Sequence, residues 1–177
     1  VIGLLFAGEL KSQSMPSPAT LLQNRGLSRE QVNSKIRYDV IDAHALSATS
    51  SHRRSIKKLS KYLAEPCEND FEKARAVFSW VAENIVYDVH AVFGGGRVSR
   101  SANDPDNVLR SGKAVCDGYS SVVKDLGSAM GLEVYKVSGR AKGAGYKVGD
   151  KLKEDNHAWT CIKLEGKWYL IDNTWGA

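Results

Sequence analysis

Two β-forming runs near the end of the chain, His157–Leu164 and Lys167–Trp175, flank the dipeptide Glu165-Gly166. A two-residue connection of this kind leaves little choice but an antiparallel hairpin. It sets Leu164 opposite Lys167, Trp159 opposite Asp172 and His157 opposite Thr174. Side chains alternate across a strand, so His157, Trp159, Asp172 and Thr174 all project from one face. His157 and Asp172 become diagonal neighbours, about 7–8 Å apart at the backbone and closer at their tips. Slipping the register by one residue sends Asp172 to the opposite face, so one turn constrains both the sheet and its chemistry.

A histidine held by a carboxylate can serve a nucleophile, and Lys113-Ala114-Val115-Cys116-Asp117-Gly118-Tyr119 offers one. Val115, Tyr119, Val122, Leu126 and Ala129 recur at helical spacing until Gly131, which puts Cys116 in the first turn of a helix. There the helix dipole favours thiolate by roughly 0.3–1 kcal/mol and lowers the thiol pKa from about 8.5. By itself the segment reads equally as a small buried hydrophobe on an apolar helix. The hairpin supplies the missing parts: His157 to take the thiol proton and Asp172 to orient the ring. Cys161 shares the His157 face but stands four residues away, about 13 Å at roughly 3.3 Å per residue, and is a poor partner. Cys67 follows a proline and has no base placed near it, and His44, His52 and His90 default to surface or satisfied-core roles.

At 177 residues the chain holds one domain with a core, plus an extension. Its three cysteines include no CxxC pair, which argues against a disulfide framework or a zinc ribbon and fits a reducing, cytoplasmic setting. No HExxH or EF-hand loop occurs, so neither a metal nor a cofactor is expected. A net charge of +5 is too mild to support a nucleic-acid role. The chain opens on Val1 rather than methionine and reads as a fragment or processed form, its initial apolar run far short of the roughly 20 residues of a membrane helix.

Lys11–Thr20, rich in Ser and Pro, reads as a linker, and Leu21 to Ser50 is polar enough that little core is expected there. Residues 1–50 are therefore read as a weakly structured extension and 51–177 as the domain. From Ser51 to Leu63, Ile56, Leu59 and Leu63 form a stripe among Arg53, Arg54, Lys57, Lys58 and Lys61. This is either a docked helix with a solvated cationic face or a contact for an anionic membrane or protein surface. Asn69 or Asp70 then caps a stronger helix, with Glu72 placed for a capping box and Phe71, Ala74, Phe78, Val81 and Ile85 on its apolar stripe. Val86–Ala114 shows no sustained period and reads as a long loop walling a cleft. Gly94-Gly95-Gly96-Arg97 within it lacks the Lys-Ser/Thr of a phosphate loop and reads as flexible. Trp80, Tyr87 and Trp159 are the candidate cleft residues. Glu133–Val137 reads as a strand and Ser138–Asp155 as a long exposed connection.

Four blocks in order resemble the transglutaminase-like superfamily, and more narrowly its kyphoscoliosis peptidase and hillarin-type branch. They are Lys73–Val81 with Asn84–Asp88, Val115–Tyr119, Asn156–Trp159, and Trp168–Ala177. The resemblance implies an α+β, papain-like core with the cysteine at the N-terminus of a helix packed on an antiparallel sheet. It places the catalytic residues on Cys116, His157 and Asp172. It also implies acyl-thioester chemistry on a protein or peptide substrate, resolved by water in a peptidase or amidase and by a lysine amine in a crosslinking glutamyltransferase. A catalytically weak scaffold binding cytoskeletal partners is the remaining alternative. Members continue beyond the position of Asp172, so the domain is expected to be C-terminally incomplete. No acidic cluster suggests the calcium sites of the large animal transglutaminases.

Overall fold

The structure, a computed structural model, describes residues 6–7, 27–94, 99–143 and 146–176. The Lys11–Thr20 linker and residues 95–97 of the glycine run lie outside them. The strands are β1 (Phe6–Ala7), β2 (Val86–Tyr87), β3 (Lys113–Ala114), β4 (Glu133–Gly139), β5 (His157–Leu164) and β6 (Lys167–Ile171). The α-helices are α1 (Arg29–Asn33), α2 (Tyr38–Leu46), α3 (Ile56–Ala64), α4 (Asp70–Asn84), α5 (Val89–Phe93), α6 (Pro105–Ser111), α7 (Cys116–Ala129) and α8 (Asn173–Gly176). No helix among the described residues is long and apolar enough to cross a membrane.

β1, β6, β5 and β4 lie in that order in one antiparallel sheet. The β5–β6 register runs from Leu164 opposite Lys167 to Thr160 opposite Ile171, the pairing read from the turn. Glu165 and Gly166 both have positive φ, 47° and 80°, as the right-handed twist of a two-residue hairpin demands. The ladder then ends earlier than the sequence suggests. Asn173 starts α8, so Thr174 is not a strand residue opposite His157, which pairs with Gly139 of β4 instead.

α4 and α7 pack on each other and supply the centre of the core. Trp80, Val81, Tyr119, Val122 and Leu126 are each at most 2% exposed, joined by Leu59 and Leu63 of α3. Burying side chains of this size contributes about 1.5–3 kcal/mol each. Ala129, placed on the stripe by its spacing, is exposed, and Met130 is buried in its stead. Phe71, Ala74 and Phe78, on another face of α4, meet Val134, Ile162, Leu164, Tyr169 and Ile171 of the sheet.

The expectation of little core before Ser50 fails. Ile41 and Ala45 of α2 are completely buried in the main cluster, and Val32 and Ile36 join the sheet-facing one. Polar neighbours hide this stripe in the sequence because they carry its anchors. Asp42 accepts from Arg75 (2.6 and 2.7 Å) and Ser79 (2.7 Å) of α4. Glu72 likewise departs from the capping box: Asn69 caps α4 through the Glu72 N–H (3.0 Å), but the Glu72 carboxylate turns to Arg37 and the Glu68 N–H. Hydrogen bonds from the Arg37 guanidinium, working against burial, hold the Glu72 carboxyl down at about 2.

The stretch read as one long loop contains α5 and α6. Its ends are tied by a short parallel pairing of β2 with β3, Tyr87 beside Ala114. Gly112 closes α6 at φ 65°, a left-handed conformation natural to glycine. That turn aims the chain into Val115 and Cys116.

Candidate active site

Cys116 opens α7, where the first backbone N–H groups have no partner within the helix. Gly118 is required two residues on, because a Cβ there would lie 2.8 Å from the Ala114 Cβ and 3.2 Å from Asn103 Oδ1. This close approach seats the first turn of α7 against the chain that leads into it. Asp117 pairs with Lys136 of β4 at 2.6 Å and ties the same turn to the sheet.

β5 begins at His157, whose Nε2 meets Asp172 Oδ2 at 2.7 Å. The other ring nitrogen is left for Cys116, with which the imidazole interacts. The backbone N–H groups of Ala158 and Asp117 also favour negative charge on the Cys116 sulfur. Asp172 stands just past β6, and its second oxygen, Oδ1, accepts from the N–H groups of Thr174 (3.0 Å) and Trp175 (3.1 Å). One carboxylate thus fixes the ring and starts the helical turn that follows it.

Burial opposes both charges, yet the hydrogen bonds win. Desolvation pushes the Cys116 thiol up, but the bond to His157, the two N–H donors and the imidazolium charge bring it net below its ordinary value. Desolvation pushes His157 down, but the bonds to Asp172 and Cys116 raise it to about 9. Both shifts move in the direction of a thiolate–imidazolium pair, a coupled pair whose protons belong to both groups.

A cleft of about 390 Å³ opens above the histidine, lined among others by Tyr87, Val92, Phe93, Thr174 and Trp175. Of the three residues singled out for a cleft, Tyr87 lines it. Trp80 does not: it is 1% exposed inside the α4–α7 core. Trp159 stands beside His157, with ring centroids 5.8 Å apart, but packs over Gly139, where a Cβ would meet its ring at 2.5 Å. An indole alone does not announce which side of a strand or helix will face the cleft.

The cleft residues not singled out in the sequence have recognisable signals. Val92 and Phe93 keep helical spacing with Val89, which is outside the cleft lining, within a stretch too short to register as periodic. Asn156 precedes the histidine and clamps Ala141 by two bonds, accepting its N–H at 2.7 Å and donating to its C=O at 2.9 Å, which shapes the opposite wall. The other cysteines are chemically quiet: burial raises Cys67 and the fully buried Cys161 each to about 11.

Comparison with known proteins agrees with this architecture. The Transglutaminase-like superfamily profile matches residues 57–173. Mouse (Mus musculus) kyphoscoliosis peptidase is 33% identical over 141 residues, covering 79% of this chain and 21% of the mouse protein. Hillarin of Drosophila melanogaster is 27% identical, covering 80% and 17%. A crystal structure of a TGase superposes with a TM-score of 0.51 at 20% identity, over 86% of this chain and 35% of the other, a likeness of fold. The chain thus spans about a fifth of the length of the curated relatives it matches. With the profile covering most of the chain, it belongs to the transglutaminase-like superfamily.

Proposed function

We propose that this domain is a cysteine hydrolase, a peptidase or amidase that works through an acyl-thioester on Cys116. The observation that supports this best is the convergence of Cys116, His157 and Asp172, with His157 Nε2 2.7 Å from Asp172 Oδ2, its ring interacting with Cys116 and lining an open cleft. The Cys116 thiolate attacks a carbonyl carbon; a C–S bond forms and the carbonyl oxygen takes the charge. The Cys116 N–H donates to that oxyanion. Tyr87, which lines the same cleft and lies near enough to Cys116 to feel the sulfur charge, is the second donor.

His157 then gives its proton to the leaving nitrogen as the C–N bond breaks, and the amine departs. In the second half, neutral His157 takes a proton from water while the hydroxyl adds to the thioester carbon. The C–S bond breaks, the acid leaves, and the thiolate–imidazolium pair is restored. Asp172 fixes the ring through its bond to Nε2.

The test incubates the protein with a peptide library that includes glutamine peptides, with and without a primary amine, and weighs the products. Hydrolysed or deamidated products that vanish with Cys116→Ala support the reading. Products formed only with the amine assign crosslinking instead, and no Cys116-dependent product overturns both.

We further infer a cytoplasmic, cytoskeleton-associated setting, from the branch that the chain resembles and the surface that α3 offers. Arg53, Arg54, Lys57, Lys58 and Lys61 lie on α3 and the turn before it. None forms an ion pair with another described residue. Leu59 and Leu63 are buried, so α3 presents charge and no apolar face for insertion into a bilayer. Cosedimentation with cytoskeletal filaments, lost on charge reversal at Lys57, Lys58 and Lys61, is the expected result; binding indifferent to those charges removes the assignment.

A further inference from the structure

Phe93 and Trp175 are both exposed, at 68% and 59%. Both line the same cleft, and Val92, 43% exposed, lies beside Phe93. Large apolar side chains gathered at one opening mark a place where something apolar is to be covered. The wall is also held in place. Trp175 stacks on His157 with ring centroids 4.6 Å apart and planes 14° from parallel, its backbone N–H anchored to Asp172. Gly143 borders the Trp175 ring, which a Cβ there would touch at 3.7 Å, so this side of the indole is walled by backbone.

Charge is absent from the cleft's described lining apart from His157. Asn156 has its amide spent on Ala141. Apart from His157, which is already paired with Asp172, no carboxylate or cationic side chain among these residues can pair with a charged substrate group, and burying one unpaired in this cleft is unfavourable. The volume, about 390 Å³, lies at the small end for a ligand pocket, enough for a side chain and its adjoining peptide units.

We propose that this cleft is a side-chain subsite for a large uncharged apolar residue, aromatic or branched aliphatic, of the acyl-donor peptide, with Phe93 and Trp175 as its specificity-determining walls. The proposal rests on the hydrolase reading and adds a substrate class to it. The ring of the bound residue slots between the Phe93 ring and the exposed edge of the Trp175 indole. Its backbone then runs past His157 toward the Cys116 sulfur.

The test uses dipeptidyl chloromethyl ketones carrying Phe, Lys or Glu at either side-chain position. Iodoacetamide serves as a reagent with no side chain. Each second-order rate of Cys116 alkylation is divided by the iodoacetamide rate of the same protein. At one position Phe is expected to exceed Lys and Glu at least tenfold, and Phe93→Arg is expected to turn the order toward Glu. Normalised rates within threefold of one another overturn the subsite while fast iodoacetamide alkylation keeps the nucleophile. Slow iodoacetamide alkylation fails the hydrolase reading itself. The subsite is then judged by binding of the matching peptide amides, observed through tryptophan fluorescence, and equal affinity for Phe, Lys and Glu peptides overturns it.

Discussion

The indole of Trp175 lies face to face with the imidazole of His157, and Asp172 holds both, the ring through Oδ2 and the Trp175 backbone through Oδ1. A protonated imidazole over an indole face gains about 0.5–1 kcal/mol at an exposed site. Trp175→Ala is therefore expected to lower the His157 pKa from about 9 by roughly half a unit. NMR titration of the His157 ring measures it; an unchanged value shows that the stack is steric only.

Activity against pH follows from the same pair. The acid limb reflects loss of the Cys116 proton, net below its ordinary value, and the alkaline limb reflects loss of the imidazolium proton near pH 9. Hydrolysis should be bell-shaped, falling above about pH 9 as the general acid is lost. In stability terms His157 is raised in the fold, so its contribution is present below its unfolded value of about 6.5 and is lost as pH rises through about 9. A kcat/KM profile that keeps climbing past pH 9 contradicts the assignment of His157 as acid.

Removing the base should cost more than disturbing its orientation. His157→Ala is expected to lower turnover by about 10²–10⁴-fold and to slow Cys116 alkylation near neutral pH. Asp172→Asn keeps the shape but loses the charge that steadies the imidazolium, and a decrease of at least about 10-fold is expected. Single-turnover kinetics on a cleaved peptide separate the two effects. Equal rates in wild type and His157→Ala remove the histidine from the chemistry.

Glu72 links the N-terminal helices to α4 through charge. Its carboxyl is held near 2, so the stability it contributes is present above its unfolded value of about 4.3 and is lost as pH falls toward 2. Glu72→Gln is expected to cost about 1.5–3 kcal/mol near neutral pH and progressively less in acid. Urea unfolding at several pH values tests this, and a pH-independent difference argues for a packing effect only.

Ile41 measures whether the segment before Ser50 belongs to the domain. It is 0% exposed within the main core, so Ile41→Ala is expected to destabilise the whole fold by about 2–5 kcal/mol in one cooperative transition. Two separate transitions would show that α1 and α2 dock as an independent unit.

Much of this molecule was legible in the order of its residues, and for local reasons. Glu165-Gly166 admits a tight turn, and the turn fixes the pairs from Leu164–Lys167 to Thr160–Ile171; the ladder stops before the predicted Trp159–Asp172 pair, yet Asp172, the next residue, still reaches His157 at 2.7 Å. The cysteine at the start of a periodic stripe required only helical spacing and the turn at Gly112. These signals act over a few residues, where backbone geometry and turn chemistry leave few alternatives.

Tertiary structure decided what short-range patterns leave open. Trp80 went to the core and Trp175 to the histidine, because helix rotation and strand ending depend on distant packing partners. Glu72 left its capping box for Arg37, thirty-five residues away in the chain, because a buried carboxylate takes the strongest donor that the fold brings to it. The sequence alone determined that a cysteine, a histidine and an aspartate could meet on one hairpin face. Only long-range packing determined the cleft above them, since its walls come from α5, the β4–β5 connection and α8, segments that nothing local obliges to converge.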